Sequence, residues 1–302
     1  QRDRYVIVSQ SGGQNNMLAC QADIIIGGGS RGGAKSFSLL LGALPYIYES
    51  GFRGLILRHE KDDLTDLIDT SKDVYSELGT YNISDARWNF NNGGFLQFSY
   101  HGGSVQDFKI RFQGRQYAYI GLDEITQCMW EKILYIITCN RNSAGLRSKF
   151  FGTCNPDPDS PIADLIAWWI DQETGFPIKE RDGQIRYAFF DGDGPKQIVW
   201  GNTREEVYLQ CKDKIDALMT PQMARFGKQL FIKSVAFVSA SLAENIALMA
   251  QDSGYLANLA MQSEEQRSRD LEGNWKYKSS GEDMIHIEDM ERFYGNPEMT
   301  TD

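Results

Sequence analysis

Nine consecutive residues, Gly28-Gly-Ser-Arg-Gly-Gly-Ala-Lys-Ser36, carry the first chemistry legible in this sequence. Glycines free successive backbone N–H groups to turn inward, and a lysine and a hydroxyl that follow can meet whatever those groups hold. This is the composition of a loop that cradles phosphate oxygens at a helix N-terminus, with the pattern GxxxxGK[ST]. Gly29 opens the pattern, Lys35 and Ser36 close it, and Ala34 stands where the last glycine belongs. In this reading Gly29, Ser30, Arg31, Gly32, Gly33 and Ala34 form the cradle. Lys35 reaches the β- and γ-phosphates of ATP, and the Ser36 hydroxyl ligates Mg2+. Alanine accepts fewer backbone geometries than glycine, so Ala34 is a departure. Gly28 to Gly32 also spell GxSxG, the nucleophile elbow of α/β-hydrolases. That chemistry needs an acid and then a histidine downstream. Of His59, His101 and His286 only the last lies far downstream, and the elbow leaves Lys35 and Ser36 without a task.

A second group is Tyr117-Ala-Tyr-Ile-Gly-Leu-Asp123-Glu124, an apolar run ending in two carboxylates, the pattern called Walker B, with Asp123 lying 88 residues after Lys35. A strand there would deliver Asp123 beside the loop to hold Mg2+ through its water shell. Glu124 could then orient the water that attacks the γ-phosphate and accept its proton. Taken alone, an Asp-Glu pair after a strand also suits a helix N-cap; the loop upstream favours catalysis. A third piece, Phe151-Gly-Thr-Cys-Asn-Pro156, places polar Thr153 and Asn155 at another strand end. They could sense the γ-phosphate or the attacking water, although an Asn-Pro turn needs no ligand.

These groups need elements to position them. Ala22–Gly27, Gly54–Arg58, Tyr117–Leu122 and Leu146–Thr153 are short apolar runs that predict buried strands. Helical patterns run from Phe37 to Leu44, stopped near Pro45, from Asp62-Asp63 to Val74, and over Ile162–Ile170. Arg87–Phe90, Phe95–Tyr100 and Phe108–Phe112, broken by Asn-Gly-Gly and Gly-Gly, predict antiparallel hairpin strands. Ile185–Phe190 and Gln197–Trp200, joined by Asp191-Gly-Asp-Gly-Pro195, predict a further hairpin, with helices at 203–219, 252–262 and 264–272. The alternation predicts an α/β fold with a mainly parallel central sheet.

Composition bounds the rest. With 41% hydrophobic and 24% charged residues, the 302-residue chain is neither disordered, collagen-like nor a coiled coil. Its net charge of −10 argues at first against a nucleic-acid partner. However, residues 1–150 hold 16 Lys/Arg and 15 Asp/Glu, whereas residues 151–302 hold 15 and 26. The acidity belongs to the second half, seven of its carboxylates lying within residues 282–302, so DNA stays open. Five cysteines without CxxC spacing fit reduced thiols. No apolar run is long enough to span a bilayer. An intracellular protein without a membrane partner is expected, and the absence of an initiator Met suggests a processed or excised piece.

Loop, Asp-Glu strand and Thr-x-Asn-Pro, in this order, resemble the ATPase domain of the large terminase subunit of tailed bacteriophages. Phe112–Thr126 and Phe231–Trp275, with Glu244-Asn245, Tyr255–Leu259 and Leu271–Trp275, carry the likeness furthest. The resemblance spans about residues 14–275 and implies a P-loop NTPase of the ASCE type. Its core would cover about 1–165 and lid-like and returning elements 166–272. Residues 273–302 would be an acidic linker toward a ribonuclease-H-like nuclease. Only a short tail surrounds Glu282, Asp283, Glu288 and Asp289, so ATP hydrolysis without DNA cleavage is expected. The resemblance further implies an ATP-driven motor for double-stranded DNA, a portal ring and a small terminase subunit as partners, and a pentameric ring on the portal. The place of work would be the host cytoplasm, on the procapsid and not in the mature virion. It makes Gln14 an adenine contact, Arg31 a stabiliser of transition-state charge, and Thr153 and Asn155 the link from hydrolysis to lid movement. A neighbouring subunit would supply a further arginine, with Arg111, Arg115, Arg141 and Arg147 as candidates. The alternatives are another P-loop ATPase such as a helicase, lacking here a second motor domain, and a ring-assembly module with incidental turnover.

Overall fold

The computed structural model describes residues 8–277 apart from Asp193 and Ser253. Helix α1 (Gly13–Ala19) leads into β1 (Ile24–Gly29), whose six residues are all buried. Then come α2 (Lys35–Ile47), β2 (Arg53–Arg58) and α3 (Leu64–Tyr75). Three short strands follow, β3 (Gly79–Asn82), β4 (Arg87–Phe90) and β5 (Phe95–Tyr100). Next are α4 (Val105–Phe112), β6 (Tyr119–Leu122), α5 (Trp130–Thr138), β7 (Lys149–Cys154) and α6 (Pro161–Leu165). The second half adds β8 (Ile185–Phe190), β9 (Ile198–Gly201), α7 (Arg204–Gln210), α8 (Lys212–Leu218) and β10 (Lys233–Ala240). Three small helices, α9 (Ile246–Gln251), α10 (Tyr255–Ala260) and α11 (Glu264–Asp270), close it.

The ten strands form one sheet in the order β3-β4-β5-β2-β6-β7-β1-β10-β8-β9. The six from β5 to β10 are parallel, and the pairs at either margin are antiparallel. This is the mainly parallel α/β sheet expected. One strand, β7, separates β1, which leads into the glycine loop, from β6, which leads into Asp123, and this is the ASCE arrangement. Central parallel strands are covered on both faces, so their sequences are apolar throughout. Ile24, Ile26, Leu55, Leu57, Ile120 and Leu122 turn to one face with Phe108, Ile133 and Ile162 of α4, α5 and α6. Their neighbours Ile25, Ile56, Tyr119 and Phe151 turn to the other, with Met17, Leu39, Leu40 and Leu67 of α1, α2 and α3. Alternation of period two thus fills two cores, one on each side of the sheet.

Several elements differ from the sequence reading. Phe108–Phe112, expected as a strand, is the end of α4. Ser104 caps that helix by accepting the Asp107 N–H at 3.1 Å, and Phe108 and Phe112, four apart, share its buried face. Ile162–Ile170 splits into α6 and a tight turn at Ala167–Trp169, and the 203–219 helix breaks at Cys211. Strand β10, which the reading missed, pairs along the whole of β1. Residues 166–272 supply three strands of the main sheet, β8, β9 and β10. The acidic tail does not begin at Gly273: Trp275 is buried edge-on against Phe237, centroids 6.0 Å apart, and its backbone N–H donates to Gly175 O at 2.8 Å. Glu282, Asp283, Glu288, Asp289 and His286 lie outside the described residues. Among the described residues no helix is long and apolar enough to cross a membrane, and all five cysteines are free.

Candidate active site

The ends of β1, β6 and β7 bring the three sequence motifs to one edge of the sheet. Gly29 closes β1 so near β10 that a Cβ there would stand 2.2 Å from Ala240 O, which only glycine allows. The loop then reaches Ala34 in the left-handed region, φ 56° and ψ 22°, at the N-cap of α2. Lys35 is buried and donates from Nζ to the carbonyls of Gly29 and Ser30. Burial lowers its pKa, and the nearby Glu124 charge opposes this.

Asp123 is the hub. Its Oδ1 accepts the hydroxyls of Ser36 at 2.9 Å and Thr153 at 2.5 Å. Its Oδ2 is buried and accepts no hydrogen bond, although Arg58 Nε lies 3.1 Å away. Glu124, the next residue, is also left-handed, φ 52° and ψ 51°, and its Oε1 accepts Asn155 Nδ2 at 3.1 Å. Burial first, then the Asp123 charge, raise its carboxyl above the usual range, against the pull of Lys35. Backbone strain at a residue held on all sides is a mark of functional sites. The buried Asp123 oxygen that accepts no hydrogen bond and the Ser36 hydroxyl on the same carboxylate make an all-oxygen donor set that suits a hard cation such as Mg2+.

A cleft of about 300 Å3 runs along Arg31–Phe37, with Arg58, Glu124 and Asn155 on its far wall. It continues into a second chamber of about 360 Å3, also lined by Arg31, Arg58, Glu124 and Asn155 and reaching Arg269 and Asp270. The sequence of residues 26–292 matches the family model of the terminase large subunit, T4likevirus-type, N-terminal. The chain belongs to this family.

Solved terminase structures share the fold. The large terminase of a thermophilic bacteriophage superposes with a TM-score of 0.50 at 14% identity, over 89% of this chain and 54% of that one. The same terminase in complex with ADP gives 0.49, 14%, 88% and 53%. The Thermus phage P74-26 large terminase ATPase domain gives 0.49 at 9% identity, over 87% and 92%. This chain spans about half the length of the first two. No curated protein matches its sequence.

The terminase fold brings Lys35, Ser36, Asp123, Glu124, Thr153 and Asn155 together. Other sequence candidates stand differently. Gln14 is buried on α1, its Oε1 accepting Gln10 N at 2.7 Å and its Nε2 donating to Ala34 O at 3.4 Å, so it buttresses the loop from behind. Arg31 is more than half exposed, and its guanidinium faces the Asp270 carboxylate of α11 at 3.5 Å. Of the four arginines considered for a neighbour's site, Arg111 is tied to Tyr100 O at 2.6 Å and lies over the Tyr100 ring. Arg115, Arg141 and Arg147 stand where β6 and β7 begin, across the sheet from the cleft. Sequence reasoning missed Arg58, Arg269 and the role of Ser241–Asn245. Leu242 N–H donates to Ser30 Oγ at 2.6 Å, Asn245 Nδ2 to Gly32 O, and Arg269 Nε to Pro156 O at 3.1 Å. Glu244-Asn245 carried a signal, being part of the family likeness. Arg58 carried none beyond its place at a strand end.

Proposed function

We propose that this chain is the ATP-hydrolysing part of a phage DNA-packaging motor, turning hydrolysis into movement of double-stranded DNA into a procapsid. The observation that carries the reading is Glu124, held in a strained left-handed conformation beside Asp123 by Asn155, in one cleft with the glycine loop and Lys35. The related terminase forms complexes with ADP and ATP-gamma-S, which supports nucleotide as the occupant.

In this mechanism the loop N–H groups hold the phosphates, whose oxygens replace the Gly29 and Ser30 carbonyls as acceptors for the Lys35 ammonium. Ser36 and Asp123 would hold Mg2+, which supplies charge neutralisation at the β- and γ-phosphates. Glu124 orients a water in line with the γ-phosphate and takes its proton. Its raised pKa brings it closer to a useful base at neutral pH, and Asn155 fixes its direction. Thr153 and Asn155, each bonded to one of the two carboxylates, pass the change at the phosphates into the segment after β7. There Pro156 and Asp157 meet Arg269, and Arg31 meets Asp270, so movement would be handed to α11. A portal ring, a small terminase subunit, a pentameric ring of this chain and the host cytoplasm complete the proposal.

The experiment is a pair of variants assayed for nucleotide binding and turnover with Mg2+. Lys35→Ala should lose nucleotide binding. Glu124→Gln should keep binding and lose turnover by about 100- to 10,000-fold. Turnover that survives Glu124→Gln overturns the assignment of the base, and wild-type-like turnover in Lys35→Ala overturns the loop.

A further inference from the structure

Arg58 ends β2, and its neighbours fix it on both sides. Leu57 O accepts the Asp123 N–H at 2.8 Å, and Arg58 O accepts the His101 N–H at 2.8 Å. The register of β2 against β6 pairs Leu57 with Leu122, which sets residue 58 beside residue 123. The guanidinium is anchored by donating from Nη1 to Asp63 O at 2.7 Å, while Nε lies 3.1 Å from the Oδ2 of Asp123. That oxygen is the one left over after Ser36 and Thr153 have taken Oδ1. The Arg58 side chain is one-quarter exposed, and the exposed part lines both chambers of the cleft, opposite the loop and next to Glu124.

The other two arginines of the outer chamber are engaged elsewhere, Arg31 with Asp270 and Arg269 with Pro156, Asp157 and Glu265. Arg58 alone of the three touches the Walker B carboxylate. A guanidinium hydrogen-bonded through Nη1 and only ion-paired through Nε keeps donors in its plane for a second acceptor, and a phosphate fits that fork better than a carboxylate oxygen outside hydrogen-bonding geometry. On the nucleotide reading given above, on which this rests, the terminal phosphate lies between the loop and Glu124. That is the side of the cleft Arg58 lines.

We propose that Arg58 is the residue through which this site tells a nucleoside triphosphate from a diphosphate, its guanidinium exchanging Asp123 for the terminal phosphate within the same subunit. A diphosphate lacks that acceptor, so Arg58 stays on Asp123. The exchange also frees the buried Asp123 oxygen only when a triphosphate is present.

The test is calorimetric binding of a non-hydrolysable ATP analogue and of ADP, each with Mg2+, to wild type, Arg58→Met and Arg58→Lys, with Tm measured for all three. Arg58→Met is expected to weaken the triphosphate analogue by at least about tenfold while ADP stays within about twofold. Arg58→Lys, which keeps charge but not the fork, is expected in between. Equal losses for both nucleotides, or a fall in Tm with an unchanged ratio, would mean that Arg58 only braces Asp123, and would overturn the proposal. Should Arg58→Met not fold, an unchanged ratio in Arg58→Lys overturns it equally well. Wild type that binds neither nucleotide would instead overturn the ATPase reading, and Arg58's task with it.

Discussion

Among the described residues only Ala34, Ala86 and Glu124 are non-glycines with a left-handed backbone, and two of the three belong to this site. For an L-residue that conformation costs about 1–2 kcal/mol, while a glycine there gives back about 0.5–1 kcal/mol through its freer unfolded state. Ala34→Gly, which restores the loop pattern, is therefore expected to stabilise the protein by about 0.5–1 kcal/mol and raise Tm by about 2 °C. Thermal unfolding measures it, and a Tm below wild type would show that Ala34 is not strained. The same residue marks what could be read from sequence. Lys35, Ser36, Asp123 and Glu124 were legible because contiguous residues carry their chemistry. Ala34 was legible as a departure but not as strain. Arg58, Arg269 and Asp270 were not legible, because their place depends on which strands and helices lie side by side.

Elements show the same division. The buried strands β1, β2, β6 and β7 announce themselves as apolar runs ending at glycine or a polar group. Helix α4 did not, because Phe108 and Phe112 satisfy a period of two and of four alike; the decisive signal was Ser104 with Asp107 three residues on, a helix start. Strand β10 carries an apolar run, Val235–Val238, but nothing local says that a run so late in the chain returns beside β1. The approach of α2 to the sheet gives a test at this scale. Gly42 lies in the middle of α2, where alanine ordinarily stabilises a helix by about 1 kcal/mol. Here a Cβ would stand 2.7 Å from the buried Tyr119 hydroxyl, which donates to Leu39 O at 2.8 Å. Gly42→Ala is expected to reverse the usual sign and destabilise by about 1–3 kcal/mol, because the ring has no room to retreat. Denaturant unfolding measures the difference, and a stabilised variant would mean that α2 packs farther from β6.

At the scale of the molecule, the segments at the two ends of β7 and β10 differ in charge. Residues 155–184 and 241–272, which lead away from the ends of β7 and β10 on the side of the cleft, hold 13 carboxylates and four Lys/Arg. Residues 139–149 and 220–234, which lead into the starts of the same strands, hold six Lys/Arg and no carboxylate. The net charge of −10 hid this, because summing over the chain removes direction. Two unlike faces on one subunit fit each other on successive copies, a head-to-tail contact that closes into a ring when the rotation allows. Such a contact would carry the Arg115, Arg141 and Arg147 edge of one copy toward the cleft of the next. Its strength depends on exposed charge, so it should weaken as the screening length shrinks from about 20 Å at low salt to below about 8 Å. Sedimentation velocity is expected to show concentration-dependent association at about 30 mM salt that is lost at about 300 mM. Arg141→Glu combined with Lys233→Glu, both at exposed positions, should abolish it at low salt as well. Association indifferent to salt and to these reversals would mean that apolar contacts hold the copies together. A monomer under every condition would overturn the head-to-tail contact.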